Sequence, residues 1–194
     1  MKERFEELLS SVNREGMDKL LDFIRKSDFY TAPASTRFHG AFEGGLLQHS
    51  LNVFDCLDKK TSGSEHNIWK PYLEGTLNET ILITSLLHDI CKAYYYVIEM
   101  RNSKVNGSWV QVPFYTVDDK YPLGHGEKSC FFIEQFIKLT MEERMAIRWH
   151  MGAYEPKELW GTLADAMNKY PLVLALHEAD MEATYLMEKK DGGK

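Results

Sequence analysis

The chain has 194 residues, 44% of them hydrophobic and 27% charged, proportions that suit one globular domain with a full core. A formal net charge of -6 argues against broad electrostatic attraction to nucleic acid, so no extended nucleic-acid surface is expected. No apolar run approaches the roughly 20 residues of a membrane span. The charged, amphipathic start from Met1 to Leu9 lacks the apolar centre of a signal peptide. Cys56, Cys91 and Cys130 are widely spaced and form no CxxC. That pattern fits reduced thiols in a cytoplasmic protein without a membrane partner. Composition says nothing of oligomeric state.

Taken in order, Phe5, Leu8, Leu9 and Val12 mark a first amphipathic helix. Met17, Leu20, Leu21 and Ile24 mark a second, with Gly16 as the break between them. Thr31 to Gly45 is a loop by its Pro and Gly content, and it delivers Arg37 and His39 ahead of a helix starting near Gly44. That helix carries His49 among Leu46, Leu47, Leu51, Val53 and Phe54. Lys59 to Asn67, with His66, is polar and reads as exposed. Glu79 to Lys92 reads as one buried helix bearing His88 and Asp89, with Lys92 one turn on.

The segment from Tyr94 to Asp119 changes character. Two runs of strand formers flank Asn106-Gly107, a tight-turn signal, so a β-hairpin is expected as an insertion at 94–119. Helix resumes after Pro122-Leu-Gly-His-Gly-Glu127, with Phe131, Phe132, Phe136 and Ile137 as core. Thr140-Met-Glu-Glu143 matches a capping box and opens a helix ending in His150. A segment around Trp160 leads to a last apolar helix, Pro171 to Met187, which holds His177 and Asp180. Residues 189–194 read as a frayed tail. The fold expected is all-α, a single domain over 1–194 with two N-terminal helices in 1–32 and the small inserted hairpin.

Six candidate ligands emerge: His49, His88, Asp89, His125, His150 and Asp180. Imidazoles and carboxylates suit manganese, iron, nickel or zinc better than a soft thiolate site does. With Asp89 bridging, the six can hold one or two divalent transition metals. One ion takes His49, His88, Asp89 and Asp180; the other takes Asp89, His125 and His150. Both additional histidines also have plain structural readings, His125 as a helix N-terminal cap and His150 as a helix-end histidine. Lys92 is placed to meet a phosphate. Arg37 and Arg101 read either as phosphate partners, by the chemistry of guanidinium recognition, or as plain surface charges; His39 reads as orienting a ligand, touching substrate or packing structurally, and His177 as facing the ligands or the substrate.

Gly44-Gly-Leu-Leu-Gln-His49-Ser-Leu, Leu86-Leu-His-Asp-Ile-Cys-Lys92 and Ala175-Leu-His-Glu-Ala-Asp180 together resemble the HD-domain metal-dependent phosphohydrolase superfamily, with its His…His-Asp…Asp order. The resemblance runs from about Phe38 to Ala183 and is nearest to the branch containing the HD-domain 3′–5′ exoribonucleases. His125 and His150 also resemble the two-metal pattern of HD-type cyclic dinucleotide phosphodiesterases. Three departures stand out, one being that the diagnostic Gly-Tyr-Pro of the cyclic dinucleotide enzymes is missing. Only two helices precede Pro33, where those exoribonucleases carry a nucleic-acid-binding β-barrel. His150 is followed by Met151 where relatives have a second histidine.

The resemblance implies an HD-domain helical bundle and a hydrolase that cleaves a phosphoester of a nucleotide or short oligonucleotide with metal-activated water. Asp89 and Lys92 would carry the chemistry. Asp89 would position the nucleophile, and Lys92 would neutralise charge on the phosphoryl oxygens. Lys92, Arg37, His39, Arg101 and His177 would contact substrate. The alternative is an HD fold that binds a nucleotide for regulation without turnover.

Overall fold

A computed structural model describes residues 1–62 and 67–188. The expectations for His66 and for the tail at 189–194 lie outside the described residues. Among the described residues the chain is mostly helical, with one antiparallel two-stranded sheet. Helices α1 (Lys2–Ser10) and α2 (Met17–Lys26) come first, and Gly16 turns between them at φ 88°. The loop leads into α3 (Gly45–Thr61), followed by a short α4 (Lys70–Leu73) and α5 (Asn78–Leu87). The hairpin pairs β1 (Tyr96–Val105) with β2 (Ser108–Val117). Helices α6 (His125–Glu134), α7 (Met141–Trp149), α8 (Trp160–Lys169) and α9 (Pro171–Glu182) complete the bundle, and a π-helical turn follows at Ala183–Met187.

Helix α5 is the hub of the core. Every residue from Thr80 to Leu87 is buried, which explains its apolar character on all sides rather than on one stripe. It lies against α3, and α9 closes over α3 and α7. Thr140 and Glu143 make the reciprocal capping box at the start of α7. Glu143 is fully buried there, and it also accepts from Thr80 Oγ1 at 2.8 Å and from Arg14 at 2.7 and 3.0 Å. One carboxylate thus ties the α1–α2 connection and α5 to α7.

Three local expectations need correcting. Helix α5 stops at Leu87, so His88 caps it, and Asp89 (φ -109°) leads into a 3₁₀ turn at Ile90–Lys92. The polar stretch from Lys59 is not all exposed. Lys60 is buried because Glu182 and Glu178 take its ammonium at 2.7 and 3.4 Å while Trp69 covers it. Phe131 is 46% exposed, since Ile133 and Ile137 supply the inward face of that segment.

The hairpin forms in the expected register, and Asn106 (φ 50°) and Gly107 (φ 86°) make its two-residue turn. That positive φ at both positions is the turn matching the twist of antiparallel strands. Beyond its base the arm projects into solvent, where Ile98, Met100 and Trp109 are 65%, 57% and 72% exposed.

Candidate metal centre

The six candidate ligands come from the start of α3, the end of α5, the start of α6, the end of α7 and the last turn of α9. Close helix packing brings these ends together. A side chain at Gly126 would sit 2.3 Å from the Arg148 carbonyl oxygen, so glycine there lets α6 seat against α7 and carries His125 towards His150. A side chain at Gly152 would run into the His177 ring at 2.3 Å. With that ring seated, His177 Nδ1 donates to the His150 carbonyl at 2.7 Å and fixes the end of α7.

His49, His88, Asp89 and His150 are almost completely buried. His49 Nε2 is 3.3 Å from His88 Nε2, 3.2 Å from Asp180 Oδ1 and 3.7 Å from Asp89 Oδ2, and His88 Nε2 is 3.5 Å from Asp89 Oδ2. Two donors held at about 2.1 Å on one ion, at angles between square and tetrahedral, lie roughly 3.0–3.4 Å apart. The spacing seen is close to that of one coordination shell.

The outer hydrogen bonds settle which ring nitrogens face inward. His88 Nδ1 donates to the Ser85 carbonyl at 2.8 Å, and His150 Nδ1 donates to the Ile147 carbonyl at 2.7 Å. A carbonyl can only accept, so Nδ1 carries a proton in both rings and Nε2 is the nitrogen turned to the centre. His49 Nδ1 faces Glu188 at 3.1 and 3.2 Å, and Asn52 Nδ2 donates to the same carboxylate at 2.9 Å. His150 Nε2 is buried without a hydrogen bond and stands 3.6 Å from Asp89 Oδ1. Ring nitrogens and carboxylates gathered in this way can hold a metal ion among them.

The protonation pattern agrees. Burial alone would push His49 down, but Asp180 and Glu188 override it and hold its pKa at about 10. Burial opposes ionisation of Asp89 as well, yet Lys92, His88 and His125 keep it well below the usual carboxylate range. Lys92 Nζ contacts Asp89 Oδ2 at 2.6 Å, and Asp89 Oδ1 takes His125 Nε2 at 2.7 Å. A residue set that stabilises a proton among imidazoles and carboxylates can exchange it for a metal ion.

Among the described residues, close donor groups combine His49, His88 and Asp180; His88, Asp89 and His150; His39, His49 and Glu188; and Asp89, Cys91 and His125. The arrangement differs in detail from the expected division, because His150 joins His88 and Asp89 while His125 pairs with Asp89 and Cys91. Two of these residues escape a reading of the sequence. Glu188 lies beyond α9 and reaches His49 only because the π turn carries the chain back over α3. Cys91 sits inside the His-Asp segment, where it reads as a plain core thiol; its Sγ lies 3.5 Å from both nitrogens of His125, and burial pushes its pKa up to about 12.

The centre opens into a cavity of about 830 Å³ lined by Asp89, Lys92, His125, Asp180, Tyr96 and Tyr154, among others. Arg37, His39 and His177 also line it. His39 packs on His49 with ring centroids 4.9 Å apart, and its Nε2 is buried without a partner. Arg101 is not part of this site. It lies on the projecting arm over Phe114, five residues out from the base at Tyr96, or roughly 16 Å along a strand. Of the expected substrate contacts, Lys92, Arg37, His39 and His177 line the cavity and Arg101 does not.

Compared with known proteins, the chain matches no family model, no curated protein and no solved structure. Among the described residues no helix is long and apolar enough to cross a membrane.

Proposed function

We propose that the chain is an HD-type metal-dependent phosphohydrolase acting on the phosphoester of a nucleotide or short oligonucleotide. One observation carries the reading: the inward-facing Nε2 atoms of His88 and His150 meet His49 and the carboxylates of Asp89 and Asp180 on the wall of an open cavity. His49, His88, Asp89 and Asp180 would hold the ion, with His150 beside them. A bound divalent ion supplies Lewis acidity and lowers the pKa of a water to near neutrality.

The chain's own groups do the rest. Lys92, fixed against Asp89 and lining the cavity, presents an ammonium to a phosphoryl oxygen. Burial, with the charges of His49 and Lys92, lowers the His39 pKa. A neutral imidazole is thereby kept beside the centre, able to pass a proton. Tyr95, Tyr96, Tyr154 and Tyr185 give the cavity ring surfaces that suit a nucleobase.

The test is a panel of phosphomonoesters, phosphodiesters, cyclic dinucleotides and single-stranded RNA, assayed with manganese. Turnover of at least one class is expected, falling by roughly a hundredfold or more in Lys92→Met as charge stabilisation is lost. A metal-loaded protein that turns over none of them is a binding module, and the hydrolase reading then fails.

A further inference from the structure

The two oxygens of Asp89 face different neighbours. Oδ2 meets Lys92 at 2.6 Å and stands 3.5 Å from His88 Nε2 and 3.7 Å from His49 Nε2. Oδ1 takes His125 Nε2 at 2.7 Å, with His150 Nε2 3.6 Å away. One oxygen thus serves the group around His49 and His88, and the other is left to a separate set of donors.

That set contains a sulfur. Cys91 Sγ lies 3.5 Å from both ring nitrogens of His125, and one donor atom each of Asp89, Cys91 and His125 falls within 4.8 Å of the others. A nitrogen at about 2.1 Å and a sulfur at about 2.3 Å on one tetrahedral ion stand about 3.6 Å apart, so the spacing suits a shared ion. Equal distances to the two nitrogens put the thiol beside the ring. The His125 side chain is 22% exposed, which leaves the ring room to turn Nε2 to the same ion as Sγ. Cys91 itself is fixed: it is buried, and its backbone N–H donates to Ser129 Oγ on α6 at 3.3 Å.

His150 is an independent sign that this side of Asp89 is built for a ligand. Its side chain is fully buried, and its Nε2 has no hydrogen bond although Asp89 Oδ1 is near. A polar atom left unpaired in the interior is costly unless a ligand satisfies it.

We propose a second metal site on this side of the centre, with Asp89 Oδ1, His125 and the Cys91 thiolate as its ligands. The inference rests on the metal-centre part of the reading above and not on turnover. The ion displaces the thiol proton, which leaves to solvent, and the sulfur binds as thiolate. The donors around His49 are nitrogen and oxygen alone, whereas a thiolate favours zinc or cobalt over manganese. The two sites therefore differ in the ion they select.

Cobalt titration of the full chain, stripped with chelator, tests this. A second equivalent of cobalt is expected, accompanied by a sulfur-to-cobalt charge-transfer band in the near ultraviolet. Cys91→Ala should lose that equivalent and the band with unchanged circular dichroism. Cys56→Ala and Cys130→Ala, at the other two buried thiols, should keep both. X-ray absorption of the zinc-loaded chain should show a sulfur neighbour at about 2.3 Å that is absent in Cys91→Ala. A thiol that only packs on the His125 ring gives neither signal. Cobalt bound without the band, or a band that survives Cys91→Ala, overturns the second site and leaves the ion at His49 and His88 standing. A chain that binds no cobalt overturns both. If Cys91→Ala does not fold, the zinc spectrum of the unaltered chain still decides, since a shell of nitrogen and oxygen alone overturns the proposal.

Discussion

Asp89 spans the centre, since one carboxylate meets Lys92 and His125 and faces His49, His88 and His150. Asp89→Ala should therefore strip the metal, a loss that elemental analysis of the purified protein would register. Retention of wild-type metal would remove Asp89 from the shell. Glu188 acts one step out, orienting His49 through Nδ1, and Glu188→Gln should weaken metal binding by about ten- to a hundredfold while leaving the fold intact.

The same residues set a pH dependence. Without metal, the raised pKa of His49, about 10, means that its bound proton stabilises the folded state. That contribution is full below the unfolded imidazole value of about 6.5 and is lost as pH rises towards the folded value. Metal binding must expel the proton, so apparent metal affinity should rise over the same interval. Thermal melts between pH 6 and 9 with chelator and with manganese should show opposite trends. Parallel curves would mean that the proton and the metal do not compete.

At the scale of the elements, Glu143 joins three of them through a buried carboxylate. Burial opposes its ionisation, but Arg14 and the hydrogen bonds from Thr140 and Thr80 hold its pKa below the ordinary value. Its stabilising contribution is present above the unfolded pKa of about 4.3 and is lost as pH falls through the lower folded value. Glu143→Gln leaves Arg14 with Glu79, at 2.6 Å, as its remaining charged partner and should cost about 1.5–3 kcal/mol, the worth of a hydrogen bond to a charged group, read by denaturant unfolding at neutral pH. The cost should shrink at pH values where the wild-type carboxylate is itself protonated. Helix α6 meets α7 just as closely, and Gly126→Ala should lever His125 away from Asp89 at a cost of about 1–3 kcal/mol.

For the molecule as a whole, the bundle holds the cavity and most of the arm stands clear of it. The cavity takes only the base of the hairpin, through Tyr95, Tyr96 and Val117. Arg101→Ala should therefore leave kcat and KM for a small phosphoester unchanged. Tyr96→Ala should raise KM, because Tyr96 lines the cavity and its hydroxyl, donating to the Ala34 carbonyl at 3.2 Å, pins the loop that carries Arg37 and His39. Replacing Lys104–Ser108 by a minimal Asn-Gly turn should spare metal content. A fall in metal content in a folded protein would mean that the distal arm supports the centre.

Local signals in the chain were enough to show most of the helices, though not α4 or α8, together with the hairpin and its Asn106-Gly107 turn, the capping box at Thr140 and the ligand candidates. Each rests on apolar period, turn chemistry or residue type within a few neighbouring positions. Tertiary structure alone decided where those candidates meet. It stopped α5 at Leu87, brought Glu188 back to His49 across more than a hundred residues, set Cys91 against His125 and held Arg101 away on the arm. Contacts between distant segments depend on how helix ends pack and which way an arm leaves the bundle, and no local pattern encodes either.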